Sequence, residues 1–458
     1  TLLKTDTRSG LLNQTINYTY NSDFRLSSMS YAGTSYNLSY DSDGLLTNAG
    51  SFAITRNSQN GLPEKVSDNV HSLTRTFNGY GEIDSYSNKI GTADVYTLSM
   101  TRDNSGRITQ KIENIKGEVI TWDYGYDNLG RLIETKKNGA VEESYTYDAN
   151  GNRLTGNAAN YSYSNEDNII TAGNATYQFN VDGFLTQKTT ASGTTTYQYS
   201  SRGELLSVTK PDGITISYDN DPFGRRITKK VNGVVTEKYL WKDTITLLAV
   251  YDGYNNLIMR FNYADGRLPV SMTMGSITYY LAYDQVGSLR TTIDSFGNIV
   301  KRMDYDSFGN ILLDTNPVFS VPFGFAGGLH DRDTDLVRFG LRDYDPAIGK
   351  WTAKDPIDFK GGDTNLFNYT GADPVNYIDP EGESYLIPII AGVLIAAEVW
   401  NNIIYPLLHP TEPHEHEPHL ETEVCHPINP KTLPPQRLPK QPPQRPKPIK
   451  PYKLPGGR

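Results

Sequence analysis

The chain of 458 residues contains a single cysteine, Cys425, which excludes an intramolecular disulfide framework. It has no excess of positive charge either. The formal net charge is −9, so no nucleic acid is expected as a partner of the main body. Long apolar runs are scarce, with residues 385–408 the exception. The opening residues, Thr1-Leu2-Leu3-Lys4, lack the basic segment and following apolar stretch of a secretory leader. The chain therefore reads as the downstream part of something longer, or as a truncated gene copy. Hydrophobic residues make up only 37%, against 40 glycines and 32 tyrosines, a balance that argues against a helical globule and for turns and aromatic strands.

What is present is a repeat. Its clearest copies are Tyr126-Asp127-Asn128-Leu129-Gly130-Arg131-Leu132, Tyr147-Asp148-Ala149-Asn150-Gly151-Asn152-Arg153-Leu154 and Tyr305-Asp306-Ser307-Phe308-Gly309-Asn310-Ile311. Looser copies fall at 40–45, 102–108, 179–185, 199–205 and 283–289. A unit recurring about every 20 residues marks a repeat architecture. Around the turn, apolar and polar residues alternate, as in Tyr145-Thr146-Tyr147 and Tyr161-Ser162-Tyr163, the period of a strand with one buried face. Asp opens the turn by accepting backbone N–H bonds, and Gly takes the positive φ that a side chain resists. Each unit thus reads as strand, short loop, strand.

A single hairpin cannot bury its own aromatic face, whereas stacked neighbours can. The expected fold is mainly β: an antiparallel hairpin shell, open or partial, over residues 1–316. Hairpins should pair in chain order, with tyrosine rings stacked in rows. Each repeat offers one carboxylate, far fewer oxygens than calcium takes, so the Asp residues read as turn formers.

Beyond residue 316 the repeat gives way to a segment rich in Gly, Asp and Pro, 317–382, and then to a different composition over 383–458. Residues 385–408 are expected to form one apolar helix, with Pro388 in its first turn and Pro406 and Pro410 marking its end. It has the length of about 20 apolar residues needed to cross a bilayer, though Glu398 suits a packed helix better. Residues 409–458 are His- and Glu-rich, then Pro-rich and basic, and are expected to form a tail without fixed structure. His414, His416, His419, Cys425 and His426 are metal-ligand types, but their spacing matches no zinc pattern. No cofactor is expected.

The middle segment carries a more specific pattern. Pro322-Phe323-Gly324-Phe325-Ala326-Gly327-Gly328 precedes Arg342-Asp343-Tyr344-Asp345-Pro346-Ala347-Ile348-Gly349-Lys350-Trp351. Asp355-Pro356-Ile357, Gly361-Gly362, Asn365-Leu366-Phe367-Asn368-Tyr369 and Asp379-Pro380-Glu381-Gly382 follow in order. This series resembles the RHS repeat-associated core of RHS/YD-repeat proteins. The preceding repeats resemble the YD-shell that such proteins share with teneurins and with the C subunits of insecticidal toxin complexes. Together the resemblance covers all but the C-terminal zone.

The resemblance implies a hollow β-shell whose core segment is an internal aspartyl autoprotease, cutting just after the last Asp-Pro-x-Gly. Here that bond is Gly382–Glu383. It implies a secreted or cell-surface protein of polymorphic-toxin type, with its own C-terminal segment as enclosed cargo. Upstream shell, delivery machinery and an immunity protein are the other implied partners, together with a membrane if 385–408 inserts. Carried onto this sequence, the carboxylate pair is Asp355 and Asp379, and Arg342 orients a carboxylate or the scissile carbonyl through its planar fork. Peptide hydrolysis by such a pair needs one ionised and one protonated member, which carboxylates within about 6 Å achieve because both cannot ionise cheaply. Two features weigh on the other side. Asp-Pro recurs at Asp221, Asp345 and Asp373, where it reads as a turn starter, and Glu383 stands where the family commonly has leucine. A non-enzymatic adhesion or glycan-contacting surface protein, and a degenerate displaced gene tail, are the competing functions.

Overall fold

The computed structural model describes residues 2–156 and 159–385. The expected helix, from residue 386 on, and the tail lie outside the described residues. The described chain is almost entirely β. A fourteen-stranded antiparallel sheet runs from Thr5–Arg8 to Ala140–Ser144, and an eighteen-stranded one from Thr146–Tyr147 to Ile311–Asp314. In both, strand order is chain order throughout, as short loops dictate. Only short 3₁₀ turns interrupt the pattern, at Phe325–Gly327, Asp358–Gly361 and Thr370–Ala372.

The repeat explains the loops atom by atom. Asp127 Oδ1 accepts the N–H groups of Leu129 (2.9 Å) and Arg131 (3.0 Å), while Gly130 closes the turn at φ 88°. Asp148 does the same for Asn150 and Asn152, and Asp306 for Phe308 and Asn310. Each repeat tyrosine sits at a β-bulge, where the register shifts, for example between Gly125 and Tyr126 and between Thr146 and Tyr147.

The bulge aims the phenol back at the preceding repeat. Tyr126 donates to Ile108 O (2.7 Å), Tyr147 to Leu132 O (2.7 Å) and Tyr163 to Arg153 O (2.9 Å). The arginine of the earlier turn covers the same ring: Arg107 lies 4.9 Å above Tyr126, and Arg131 4.9 Å above Tyr147. The expectation of tyrosines stacked in rows is therefore corrected. The repeat rings are linked by hydroxyl and guanidinium, and pairs such as Tyr31–Tyr36 and Tyr86–Tyr96 are tilted, not stacked.

The wall is also not one continuous sheet. At Tyr145 the chain steps from the first sheet to the second, and the two sheets share an apolar core. Ile16, Val66, Tyr96 and Leu98 pack in it with Leu240, Leu248, Ala249 and Ile293. Polar ties reinforce this contact. Tyr31 donates to Phe261 O at 2.7 Å, and Arg290 Nε meets the buried Glu113 carboxylate at 2.9 Å. Burial works against the Glu113 charge, but Arg290 and Lys111 hold its acid constant down to about 2.

Residues 317–385 pack against both sheets: Leu336 and Ile348 join the core of the second, and Val375 joins Ile108, Ile120 and Leu132 of the first. Four short strands, Leu329–Asp331, Leu336–Phe339, Arg342–Asp345 and Lys350–Trp351, form a third antiparallel sheet. Its aromatic centre gathers Phe325, Phe339, Tyr344, Trp351 and Tyr369, with Tyr344 and Tyr369 ring centres 4.5 Å apart. Each such buried ring is worth about 2–3 kcal/mol in surface removed from water. The apolar tip of one repeat turn, Phe308, is 3% exposed, packed among Ile108, Trp122, Leu132 and Tyr145 of the wall and Val375 of the plug formed by 317–385. Its equivalents Leu129, Phe223 and Phe296 are 75%, 72% and 87% exposed, even though Arg338 of the plug donates to Gly224 O beside Phe223.

Candidate active site

The site is built from three segments of the plug. Arg342 begins the third plug strand, directly after a tight turn at Gly340, and its guanidinium stacks 4.3 Å from the Trp351 ring. Asp355 follows the last plug strand and is anchored by its own N–H to Leu366 O at 3.0 Å. It opens a turn, with Oδ1 accepting the N–H of Ile357 at 3.0 Å. Asp379 opens another, and its Oδ1 accepts the N–H groups of Gly382 (2.9 Å), Glu383 (3.1 Å) and Ser384 (3.2 Å). Both residues are thus turn starters like the other Asp-Pro aspartates. Their second oxygens are what set them apart.

Those second oxygens meet on one nitrogen. Arg342 Nη2 lies 2.8 Å from Asp355 Oδ2 and 3.2 Å from Asp379 Oδ2. The two carboxylate oxygens are therefore no farther apart than the sum of those distances, as the sequence reading expects. The rest of the guanidinium is also engaged. Nε donates to the Gly382 carbonyl at 2.6 Å, and Nη1 to Leu366 O at 3.2 Å. Arg342 orients both carboxylates and the carbonyl of the Gly382–Glu383 bond at once. All three side chains are buried: Arg342 is 3%, Asp355 7% and Asp379 2% exposed.

Electrostatics follow from that burial. Burial pushes the Asp355 carboxyl above its ordinary range, the nearby Asp379 charge adds to this, and Arg342 opposes it. Asp379 is also pushed up by burial, against Arg342 and the three backbone N–H groups. Desolvation, more than mutual repulsion, therefore favours the neutral form of each acid. Burial pulls the Arg342 guanidinium down, and the two carboxylates pull it back. Glu383 is raised as well, by burial and then by Asp355 and Asp379.

Sequence reading missed what seats the Gly382–Glu383 strand. Gly340 takes φ 42°, and a side chain there would collide with the Glu381 carbonyl. A Cβ on Gly382 would lie 2.6 Å from Phe339 O, and one on Gly361 2.6 Å from Glu383 O. Leu341 N–H bonds Glu381 O at 2.9 Å. Glycine on both sides lets the backbone press against the strand turn that carries Arg342. The glycines are visible in the sequence, but nothing local says which backbone approaches them. Beside the strand is a small cavity lined by Arg342, Asp355, Gly361, Asp363, Asp379 and Glu383.

Hairpin repeats paired in chain order, carrying a plug with a buried acid cluster, define the class as a YD-repeat β-shell. The family model described as the teneurin YD-shell matches residues 1–375, and the chain belongs to that family. The matched span includes Arg342 and Asp355 and stops short of Asp379.

Among curated relatives, the chain is similar to teneurin-3 of Danio rerio, 29% identical over 398 residues, covering 81% of this chain and 14% of the relative. It is also similar to teneurin-m of Drosophila melanogaster, at 26% identity, covering 88% of this chain and 15% of that protein. The chain thus spans a small part of these relatives. Among solved structures, a Photorhabdus luminescens Tc holotoxin pore with a mutant TccC3 gives a TM-score of 0.65. Identity is 17%, over 82% of this chain and 22% of that one. A crystal structure of TcdB2-TccC3 gives 0.58, with 18% identity over 81% and 22% of the chains. These likenesses concern the fold.

Proposed function

We propose that this chain is part of an RHS-type shell protein that encloses the variable segment following its plug and releases it by cutting its own Gly382–Glu383 bond. One observation carries the reading: a single buried guanidinium holds both carboxylates through Nη2 and the Gly382 carbonyl through Nε. In the proposed reaction Asp355 takes a proton from water as the water oxygen bonds the Gly382 carbonyl carbon. Negative charge developing on that carbonyl oxygen falls against Arg342 Nε. Asp379, whose Oδ1 accepts the Glu383 N–H at 3.1 Å in the uncut chain, passes the pair's shared proton to the nitrogen once the carbonyl carbon is tetrahedral and the nitrogen lone pair is freed, as the C–N bond breaks. The products are a carboxyl on Gly382 and an amine on Glu383, and the pair again carries one proton.

The likeness to TcdB2-TccC3 supports a shell that works with further shell components; delivery machinery and a secreted or cell-surface setting are part of the same proposal. The test is a time course of the purified chain on a denaturing gel. A fragment beginning at Glu383 should appear, identified by N-terminal sequencing, and Asp355→Asn should slow its release by about 10²–10⁴-fold. An uncut wild-type chain, or equal cutting in the variant, overturns the reading. A second reading, a non-enzymatic adhesive surface, draws on the exposed tips Leu129, Phe223 and Phe296. Cell or glycan binding that is lost on polar substitution of those tips, in a chain that is never cut, would favour it.

A further inference from the structure

Glu383 follows the scissile bond and lines the same small cavity as Asp355 and Asp379. The charged groups facing it come from every element around that cavity. Asp355 and Asp363 belong to the loop after the last plug strand, Arg342 to the plug strand itself, and Asp379 to the turn that carries Glu383. Glu381, two residues upstream, does not line the cavity, but its carboxyl is raised by burial and then by the Glu383 and Asp379 charges, so it adds to the same acidic group. Four carboxylates thus line a cavity with one cation, and that cation already contacts Asp355 and Asp379.

We propose, resting on the self-cleavage reading, that Glu383 is a positioning member of the acid site whose negative charge keeps one proton on the Asp355–Asp379 pair, so that cleavage persists toward neutral pH. The physical argument is electrostatic. Arg342 alone favours ionisation of both carboxylates, and a doubly ionised pair has no acid to protonate the leaving nitrogen. A third negative charge lining the same partly desolvated cavity opposes that second ionisation. The position fits the role. Glu383 N–H is held by Asp379 Oδ1 at 3.1 Å, and Gly361 leaves room for the Glu383 carbonyl. The segment carrying the charge is therefore fixed against the pair before cleavage, and it departs with the released fragment afterwards. The Glu383 carboxyl is raised first by burial and then by the Asp355 and Asp379 charges, the repulsion that this role requires.

The test is the pH profile of the single-turnover release rate in the full chain, wild type against Glu383→Gln, which keeps shape and removes charge. The expected result is an upper limb displaced toward acid by about one pH unit, with the rate on the acidic side changed by less than about threefold. Glu383→Asp should restore most of the wild-type limb. Superimposable profiles, or displacement toward alkali, overturn this proposal while leaving self-cleavage standing. A faster Glu383→Gln chain at every pH also overturns it, because the charge would then be only an obstacle. If neither chain is cut at any pH, the self-cleavage reading fails, and this proposal fails with it.

Discussion

Asp127 and Asp379 perform the same local task in two regions of the molecule with opposite outcomes. Each opens a turn by offering Oδ1 to backbone N–H groups downstream. In the wall, the second oxygen of Asp127 pairs with Arg131, four residues on, and the carboxylate stays partly exposed. Burial works against its charge, but the Arg131 hydrogen bond and the turn amides win, and its acid constant falls below the ordinary range. In the plug, the second oxygen of Asp379 pairs with the distant Arg342, shares it with Asp355, and is buried. Burial wins there, and the acid constant rises. A turn aspartate becomes a candidate acid–base group only where tertiary packing dries it and supplies a cation that it does not own.

The contrast should show most strongly when the cations are removed. Arg342→Leu leaves two buried carboxylates without their cation. It should cost about 3–5 kcal/mol in denaturant unfolding and abolish release. Arg131→Leu, its counterpart in the wall, should cost no more than about 1 kcal/mol. A smaller difference than this would mean that the plug pair is as solvated as the wall pair.

Next in size is Gly340→Ala. It forces a side chain into a left-handed position and against Glu381 O, and should cost about 2 kcal/mol or more. Gly139→Ala tests the matching wall position, where φ is 83° and a Cβ meets nothing, so only the backbone conformation is penalised. The difference between the two isolates the collision with the Gly382 strand. Tyr147→Phe removes one hydroxyl latch between neighbouring repeats and should cost about 1 kcal/mol, read as a shift in the denaturation midpoint.

The smallest expected effect has opposite signs in the two regions. The stabilising contribution of Asp127 is present above ordinary carboxylate values and is lost as pH falls through its lowered native constant. Asp355 and Asp379, raised in the native state, contribute stability that is fully present below ordinary values, about 4, and is lost as pH rises through their native constants. Hydrogen exchange should therefore show residues 379–384 becoming better protected on mild acidification, while the Asp127 turn becomes less protected only at lower pH. Asp355→Asn should flatten the plug response and leave the wall response unchanged.

The sequence by itself determined the hairpins, their loops and their order of pairing. Those features depend on contacts within a few residues: the two-residue alternation of strands, an Asp that caps its own turn, a Gly at positive φ. It also singled out Arg342, Asp355 and Asp379 through a family resemblance. It did not show that one guanidinium would hold both acids and the Gly382 carbonyl. Nor did it separate Tyr126-Asp127-Asn128-Leu129-Gly130 from Tyr305-Asp306-Ser307-Phe308-Gly309. These are the same motif, yet Leu129 is 75% exposed and Phe308 3%. The step between sheets at Tyr145 and the hydroxyl latches were equally hidden. Only the tertiary structure decides such matters, because burial, desolvation and shared ion pairs depend on which distant surfaces meet, whereas turn chemistry and strand period are complete within each repeat.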